Sequence, residues 1–202
     1  RIDPRSGEEI GTGLLGYAWN MGVKLTKEES ARSVKVWRST YRGVTAHWKE
    51  LEKAVKRCIK TGRPVGCRRV EFDIFGDFLR CRLPNGRHLH YYKPKILSRK
   101  TPWGEMRPTI TYMGLNDKNQ WVRISTHPGK ILENITQAVA RDLLQYGMRL
   151  AQQEGLDIRI HVHDQILALV AAGKAEEGLA LLIECMQERP PWALDLPLKA
   201  EG

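Results

Sequence analysis

Apolar residues recur every three or four positions in four stretches of the chain, which is the spacing that places them on one face of a helix. The first stretch follows Thr26 and Glu29, which match a capping box, and it should run to about Tyr41. The second is amphipathic, with lysines beside its apolar stripe, and it ends at Gly62. The spacing predicts helices at residues 27–41, 44–61, 130–154 and 174–188.

Between residues 69 and 125 the apolar period shortens to two, which is typical of strands with one buried face. Val70, Phe72 and Ile74, for example, alternate with polar residues. Two pairs of such runs flank short polar segments, at residues 83–87, which include an Asn-Gly pair, and at residues 114–119. The pattern predicts two hairpins in a small antiparallel sheet.

A further hairpin is predicted near the C-terminal end, with strands at residues 157–163 and 165–170 and His163-Asp164 at its tip. On the first strand, Ile158, Ile160 and Val162 are expected to face the same side. The second strand is apolar on both faces, which predicts that both faces are covered. The tail at residues 196–201 is expected to add another strand.

The order of elements is helices, sheet, long helix, hairpin and helix. This order predicts the α+β class, with helices packed on a small antiparallel sheet. We expect a helical domain at residues 1–66 and a second domain at residues 67–202 that contains the last hairpin.

Basic residues are concentrated in about one quarter of the chain. The formal net charge is +10, and residues 49–100 contain 15 lysines and arginines against 5 acidic residues. Such an excess favours a polyanionic partner such as nucleic acid, because neutralising phosphates releases counterions. An ordinary basic surface is the alternative.

No apolar run is long enough to cross a membrane, and the N-terminal residues lack the apolar stretch of a signal peptide. No Cys-x-x-Cys pair is present, so a zinc ribbon is not expected, and reduced thiols point to the cytoplasm. The sequence does not begin with Met, from which we expect a processed, split or truncated chain.

Asp164, at the predicted hairpin tip, is the residue with the clearest chemical potential. A carboxylate there would be exposed and could ligate a hard cation such as Mg²⁺ through oxygen. The same pattern also fits an aspartate that only makes the turn. A third interpretation makes His161 and His163 the metal ligands of a hydrolase, since residues two apart on a strand share a face.

The helix residues 129–144 begin Gly-Lys-Ile-Leu-Glu-Asn-Ile-Thr-Gln-Ala, and Val162-His163-Asp164-Gln165 follow after a short interval. In order and spacing, this helix and hairpin resemble the long palm helix and motif C of family A DNA polymerases, the DNA polymerase I-like family, in their phage-encoded form. Residues 23–54, 79–87, 121–123 and 196–202 are similar to other stretches of the same C-terminal region. The resemblance implies an incomplete polymerase palm with part of the fingers.

The resemblance also implies roles for five residues. Asp164 would ligate the catalytic Mg²⁺ ions, and His163 would lie near the primer terminus. Gln137 and Asn134 would lie near the primer–template duplex, and Arg141 would reach the backbone of that duplex. Each of these three helix residues could otherwise be a solvated surface position.

Two departures from the family pattern limit what the chain is expected to do alone. Gln165 stands where motif C usually has Glu. The motif A aspartate and the nucleotide-binding Arg and Lys of motif B have no counterpart, although Gly16-Tyr17 could be the end of motif B. We therefore expect no nucleotide incorporation by this chain alone, and motifs A and B to come from a second polypeptide or a longer chain.

The function implied is that of a DNA-directed DNA polymerase, a nucleotidyltransferase that uses primer–template DNA, a dNTP and two Mg²⁺ ions in the cytoplasm of a bacterial or phage-infected cell. The alternative is a non-catalytic DNA-binding remnant of such a polymerase, which the basic segment and Gln165 would suit.

Overall fold

The structure is a computed structural model, and it describes residues 13–100 and 104–202. The chain divides into two compact units, and the boundary between them falls between Lys49 and Glu50. The domain boundary expected after residue 66 stays a prediction.

In the part of the first unit that the structure describes, the elements are helices. This part contains α1 (Leu14–Asn20), α2 (Lys27–Thr40) and the start of α3 (Arg42–Thr61). The capping box of α2 is confirmed, because the Glu29 amide donates to Thr26 Oγ1 over 3.1 Å and the Thr26 amide donates to Glu29 Oε2 over 2.9 Å. Helix α1 was not predicted. The suggested end of motif B at Gly16-Tyr17 lies within α1.

The second unit contains a six-stranded antiparallel sheet in which every strand pairs with its neighbours in the sequence. Two features were not predicted: the three-residue strand β1 and the continuation of β4 to Lys100. The strands are β1 (Val65–Cys67), β2 (Val70–Phe75), β3 (Phe78–Arg82), β4 (His88–Lys100), β5 (Met106–Leu115) and β6 (Trp121–Thr126).

The Asn-Gly turn between β3 and β4 forms as predicted. The Leu83 amide donates to the Arg87 carbonyl over 2.7 Å, and Asn85 Oδ1 accepts from the Arg87 amide. Gly86 has a φ of 89°, a conformation that glycine adopts without steric cost.

One face of the sheet is covered by α3 and by the long helix α4 (Pro128–Gln153). The alternating residues of β2 and β3 provide the sheet side of this core, and residues three and four apart on the helices provide the other side. The fully buried members include Leu51, Val55, Cys58, Phe72, Cys81 and Ile131.

The four cysteines are free thiols and are buried, in agreement with the prediction of reduced cysteines. Burial raises the pKa of Cys58 to about 11 and that of Cys81 to about 12. Both thiols therefore stay protonated and poorly nucleophilic at neutral pH.

Helix α4 continues past the sheet into a second, smaller cluster. There it packs with the hairpin β7 (Asp157–Val162) and β8 (Gln165–Leu169) and with α5 (Ala175–Gln187), which follows a short 3₁₀ turn at Ala172–Lys174. Ala151, Leu182 and Cys185 form the buried centre of this cluster. The predicted α+β class is confirmed.

Two predictions about this hairpin are wrong: the common face of Ile158, Ile160 and Val162, and the covering of β8 on both faces. A register shift lies between Ile158 and Ile160, so the chain does not keep a strict alternation on β7. Ile158 packs in the second cluster, whereas Ile160 and Val162 are exposed. Strand β8 is covered on one face only: Ile166 and Ala168 pack inward, and Leu167 and Leu169 are exposed.

The tail does not form the predicted strand at residues 196–201. It is held instead by side-chain contacts, of which one is the 3.0 Å hydrogen bond that Gln187 Nε2 donates to the Ala200 carbonyl. Within residues 13–100 and 104–202, no helix is long and apolar enough to cross a membrane.

Gly147 lets α4 and α5 approach closely. A Cβ atom at this position would lie 3.1 Å from the Cα of Met186 and 3.2 Å from the Cys185 carbonyl oxygen. Both neighbours are backbone atoms of α5, so the two helices would have to move apart to accept any larger residue.

We predict that Gly147→Ala lowers the free energy of unfolding by about 1–3 kcal/mol, because overpacking outweighs the better helix propensity of alanine. Denaturant unfolding measures this change. Gly43→Ala is the matched control, since Gly43 is also helical and has open space around its Cβ position. Equal effects of the two substitutions would contradict the close approach.

Candidate functional site

Asp164 lies at the tip of the β7–β8 hairpin, as predicted. Val162 and Gln165 are paired, so His163 and Asp164 are the two turn residues. His163 has a φ of 55°, a left-handed conformation that costs a side-chain-bearing residue about 1–2 kcal/mol. Such strain is concentrated at functional turns, where it fixes the direction of a side chain.

The Asp164 carboxylate is exposed, and it makes no hydrogen bond or ion pair with any residue in the described part of the chain. It lines an open cleft of about 520 Å³ together with Gln165, Leu144 on α4 and Glu201 in the tail. Glu201 is a second carboxylate at this cleft, and its Oε2 lies 3.4 Å from Lys199 Nζ. The cleft thus gives a ligand access to the Asp164 carboxylate, which has no hydrogen-bond or ion-pair partner in the described chain.

A metal ion would find only part of its ligands here. Among the described residues, no group of three or more His, Cys, Asp or Glu side chains could hold a metal ion. Asp164 therefore fits as one oxygen ligand of Mg²⁺ and needs others. The hydrolase interpretation gains no support, because His161 lies opposite Ile166 on the strand pair while His163 lies in the turn.

Asn134, Gln137 and Arg141 lie three and four residues apart on α4, so they form a stripe along one side of the helix. We refer to these three residues as the α4 stripe. Gln137 and Arg141 are exposed, and Asn134 is half-buried. Leu144, three residues after Arg141, lines the cleft beside Asp164. The helix thus connects the predicted DNA-contacting residues with the predicted metal ligand.

The three side chains of the stripe differ in how free they are. Asn134 Nδ2 donates to Tyr91 Oη over 3.2 Å, which anchors the amide to the sheet. Gln137 Nε2 donates to Glu133 Oε1 over a long 3.4 Å. Arg141 makes no ion pair with any described residue. Arg141 and Gln137 are therefore available to a ligand, and Asn134 also has a structural role.

The hydrogen bond from Asn134 to Tyr91 is the first contact that the sequence did not predict. Burial raises the pKa of Tyr91 to about 12, and the hydrogen bond from Asn134 lowers it by a smaller amount. The phenol is therefore neutral at physiological pH.

The second unpredicted contact joins Arg87 to Asp142. Arg87 Nε donates to Asp142 Oδ1 over 2.8 Å, and Arg87 Nη2 donates to the Ala138 carbonyl over 3.1 Å. The Asp142 side chain is 2% exposed, and its Oδ2 has no hydrogen-bond partner among the described residues. One sequence signal was present, because the buried helical period Ile131, Ile135, Ala138 places Asp142 on the core side, where a carboxylate requires a cation.

The chain is similar to a DNA polymerase encoded by a phage. The relative is the DNA polymerase of Bacillus phage SP02, with 33% identity over 197 residues, which is 97% of this chain and 30% of that polymerase. The chain therefore spans about 30% of the length of its curated relative. No protein-family model matches the chain, and no solved structure gives a significant match.

We predict that Arg87→Ala lowers the free energy of unfolding by about 3 kcal/mol or more, because it leaves the buried Asp142 charge without its partner. Chemical denaturation checks this value. Arg149→Ala is the control, since Arg149 is an exposed arginine of the helix that carries Asp142. Its guanidinium lies 5.3 Å from the Tyr146 ring centre, and loss of such an exposed contact should cost no more than about 1 kcal/mol.

The paired substitution Arg87→Met with Asp142→Leu should recover much of that loss, because it removes both charges. A change in Arg87→Ala no larger than that in Arg149→Ala would contradict the structural role of the ion pair.

Proposed function

We propose that this chain forms part of the active site of a DNA-directed DNA polymerase, which adds a nucleotide from a dNTP to the 3′-hydroxyl of a primer on a template. The observation that carries the proposal is the similarity over 97% of the chain to a phage DNA polymerase. The finer assignment, to the DNA polymerase I-like family A, rests on the order of the α4 helix and the Val162-His163-Asp164-Gln165 hairpin.

Asp164 is the proposed metal ligand. Its carboxylate is exposed at a tight turn, has no competing partner in the described chain and lines the cleft. When Mg²⁺ is bound, it lowers the barrier to phosphoryl transfer by activating the 3′-hydroxyl and by neutralising charge on the leaving pyrophosphate. His163 is the neighbouring turn residue, and we place its imidazole beside the primer terminus.

The α4 stripe is the proposed duplex-binding edge. From Asn134 to Leu144 the helix rises by about 15 Å, which corresponds to roughly four base-pair steps of DNA. Side-chain amides such as that of Gln137 can bond to the minor-groove acceptors that all base pairs share, so they suit an enzyme that must accept any sequence. Arg141, without an ion pair in the described chain, suits a phosphate.

The metal site needs carboxylates from more than one structural element. Asp164 is the one that we assign to this chain. We propose that motifs A and B, with the second aspartate and the dNTP-binding cations, lie in another part of the polymerase, either in a longer polypeptide or in a second one. The relative is long enough to contain such parts, since the chain aligns with 30% of it.

A non-catalytic DNA-binding remnant is the second candidate, and Gln165 favours it because Gln lacks the negative charge of the Glu usual in motif C. Both candidates bind primer–template duplex in a salt-dependent way. They differ in whether Asp164 matters for nucleotide transfer.

The test is primer extension by the full polymerase that contains this chain, with Mg²⁺ present. Asp164→Asn should lower the rate by more than about 100-fold, since even residues that only support a metal ligand contribute 10–100-fold. Duplex affinity should stay within about twofold, because the amide retains the shape of the turn residue. Asp117→Asn is the matched control, an exposed aspartate in the turn after β5.

Loss of duplex binding in Asp164→Asn would indicate a structural role for Asp164. Absence of extension even by the unsubstituted full polymerase would favour the remnant. The isolated 202-residue chain should bind duplex but incorporate no nucleotide, and incorporation by it would contradict the divided active site.

A further inference from the structure

The face of the six-stranded sheet that points away from α3 and α4 has an unusual composition. Strand pairing places one row of side chains across it, with neighbours on successive strands. The row consists of Phe75, Phe78, Tyr92, Met113 and Arg123. Trp121 lies diagonally next to these five residues, beside Tyr92. We call the four aromatic residues of this region, Phe75, Phe78, Tyr92 and Trp121, the aromatic row.

Three of the four rings of the aromatic row are adjacent, and the fourth residue, Phe75, lies opposite Phe78 on the neighbouring strand. The ring centroids of Phe78 and Tyr92 are 5.1 Å apart, and those of Tyr92 and Trp121 are 6.2 Å apart. Phe75 and Trp121, at the two ends, are 63% and 57% exposed. Cross-strand aromatic pairs stabilise a sheet, but that role does not require large exposed ring surfaces at the ends.

Cations lie next to these rings. The guanidinium of Arg80 lies 4.3 Å from the Phe75 ring centre, and Lys93 Nζ lies 5.3 Å from the Tyr92 ring centre. Arg80 is paired with Asp73, and Arg82 with Glu71. Arg123, in contrast, donates to neutral oxygens, the Lys93 carbonyl and Thr111 Oγ1. Its positive charge is therefore not balanced by a carboxylate in the described chain.

Beyond the register shift between Tyr92 and Lys95, strands β4 and β5 continue as a basic ribbon. Lys95, Leu97 and Arg99 alternate on the same face as the aromatic row. Arg99 lies directly opposite Arg107, whose Nε is 3.4 Å from Glu105. Like charges in directly opposite positions destabilise a strand pair. Glu105 already lies beside Arg107, so the charge that an added anion would balance is that of Arg99, which makes no ion pair in the described chain.

We propose that this outer face binds single-stranded DNA, with bases stacked on the aromatic row and phosphates along Arg123, Lys95 and Arg99. Flat exposed rings suit unpaired bases, because the bases of a duplex are already stacked on one another. The cations lie beside the rings on the same face of the sheet, and their positive charge can neutralise the phosphates of a bound strand. Binding of this kind does not depend on nucleotide transfer; in a polymerase, the strand would be the unpaired template.

The outer face and the α4 stripe are separate surfaces, since α4 packs on the opposite face of the sheet. Single strand and duplex should therefore respond to different substitutions. The test uses fluorescence anisotropy of the full 202-residue chain with a labelled oligo-dT of about 20 nucleotides, which exceeds the site size of one typical single-strand-binding fold, and a duplex of equal length as the second probe.

Trp121→Leu and Phe75→Leu should each weaken oligo-dT binding by about tenfold, since they remove one stacking ring. Trp121→Phe and Phe75→Tyr keep an aromatic ring and should bind within about threefold of the unsubstituted chain. All four substitutions are at exposed positions, and thermal unfolding checks that the fold is retained. Affinity for the duplex should be unchanged in each of them.

Charge is tested with a matched pair. Arg99→Ala should weaken oligo-dT binding and reduce its salt dependence, whereas Lys174→Ala, which removes an exposed cation in the 3₁₀ turn before α5, should leave both nearly unchanged. The proposal is overturned if the unsubstituted chain does not bind oligo-dT, if the Leu variants bind as well as the aromatic variants, or if duplex and single strand lose affinity together.

Discussion

The burial of one helix in two hydrophobic clusters is the constraint on which the rest of the second unit depends. Near its start, α4 buries Ile131, Ile135 and Ala138 against the sheet, and near its end it buries Ala151 beside the hairpin and α5. Between these clusters, the ion pair of Arg87 with Asp142 joins the β3–β4 turn to the middle of the helix. Because both ends are anchored, α4 cannot shift along its axis without disrupting one core. The distance between the sheet and the tip of the hairpin is therefore set by the helix.

This arrangement separates the surfaces of the second unit by what each can bind. The exposed side of α4 carries Gln137 and Arg141 and leads to the cleft beside Asp164. The sheet contributes one face to the core and leaves the other, with its aromatic row, to solvent. Asn134 links the helix to the sheet, because it lies in the α4 stripe and its side chain also bonds to Tyr91 of the sheet. A polymerase must hold a duplex and an unpaired strand at once, and in our proposal the two sides of this unit provide for them.

The sequence predicted those elements whose pattern is local. The capping box of α2, the Asn-Gly turn and the period of α4 each lie within a few residues or repeat regularly, and all were confirmed. The turn position of Asp164 was predictable for the same reason. The register shift on β7 was not, because one extra residue moves Ile160 and Val162 to the other face without changing the composition. Pairings between distant residues were also missed: 55 positions separate Arg87 from Asp142, and 43 separate Tyr91 from Asn134. The tail was predicted as a strand, but a strand needs a partner edge, and in the described structure this segment bonds through Gln187 instead.

The central claim is that the α4 stripe and the hairpin tip together face primer–template DNA. Hydrogen–deuterium exchange of the full chain, with and without a primer–template duplex, tests it most directly, because it maps the contacted backbone without altering any residue. We expect slower exchange on duplex addition at Val162 to Gln165, where the turn amides are exposed, and stabilisation of the helix around Gln137 and Arg141. Protection confined to other segments, with the hairpin tip and α4 unchanged, would contradict the claim.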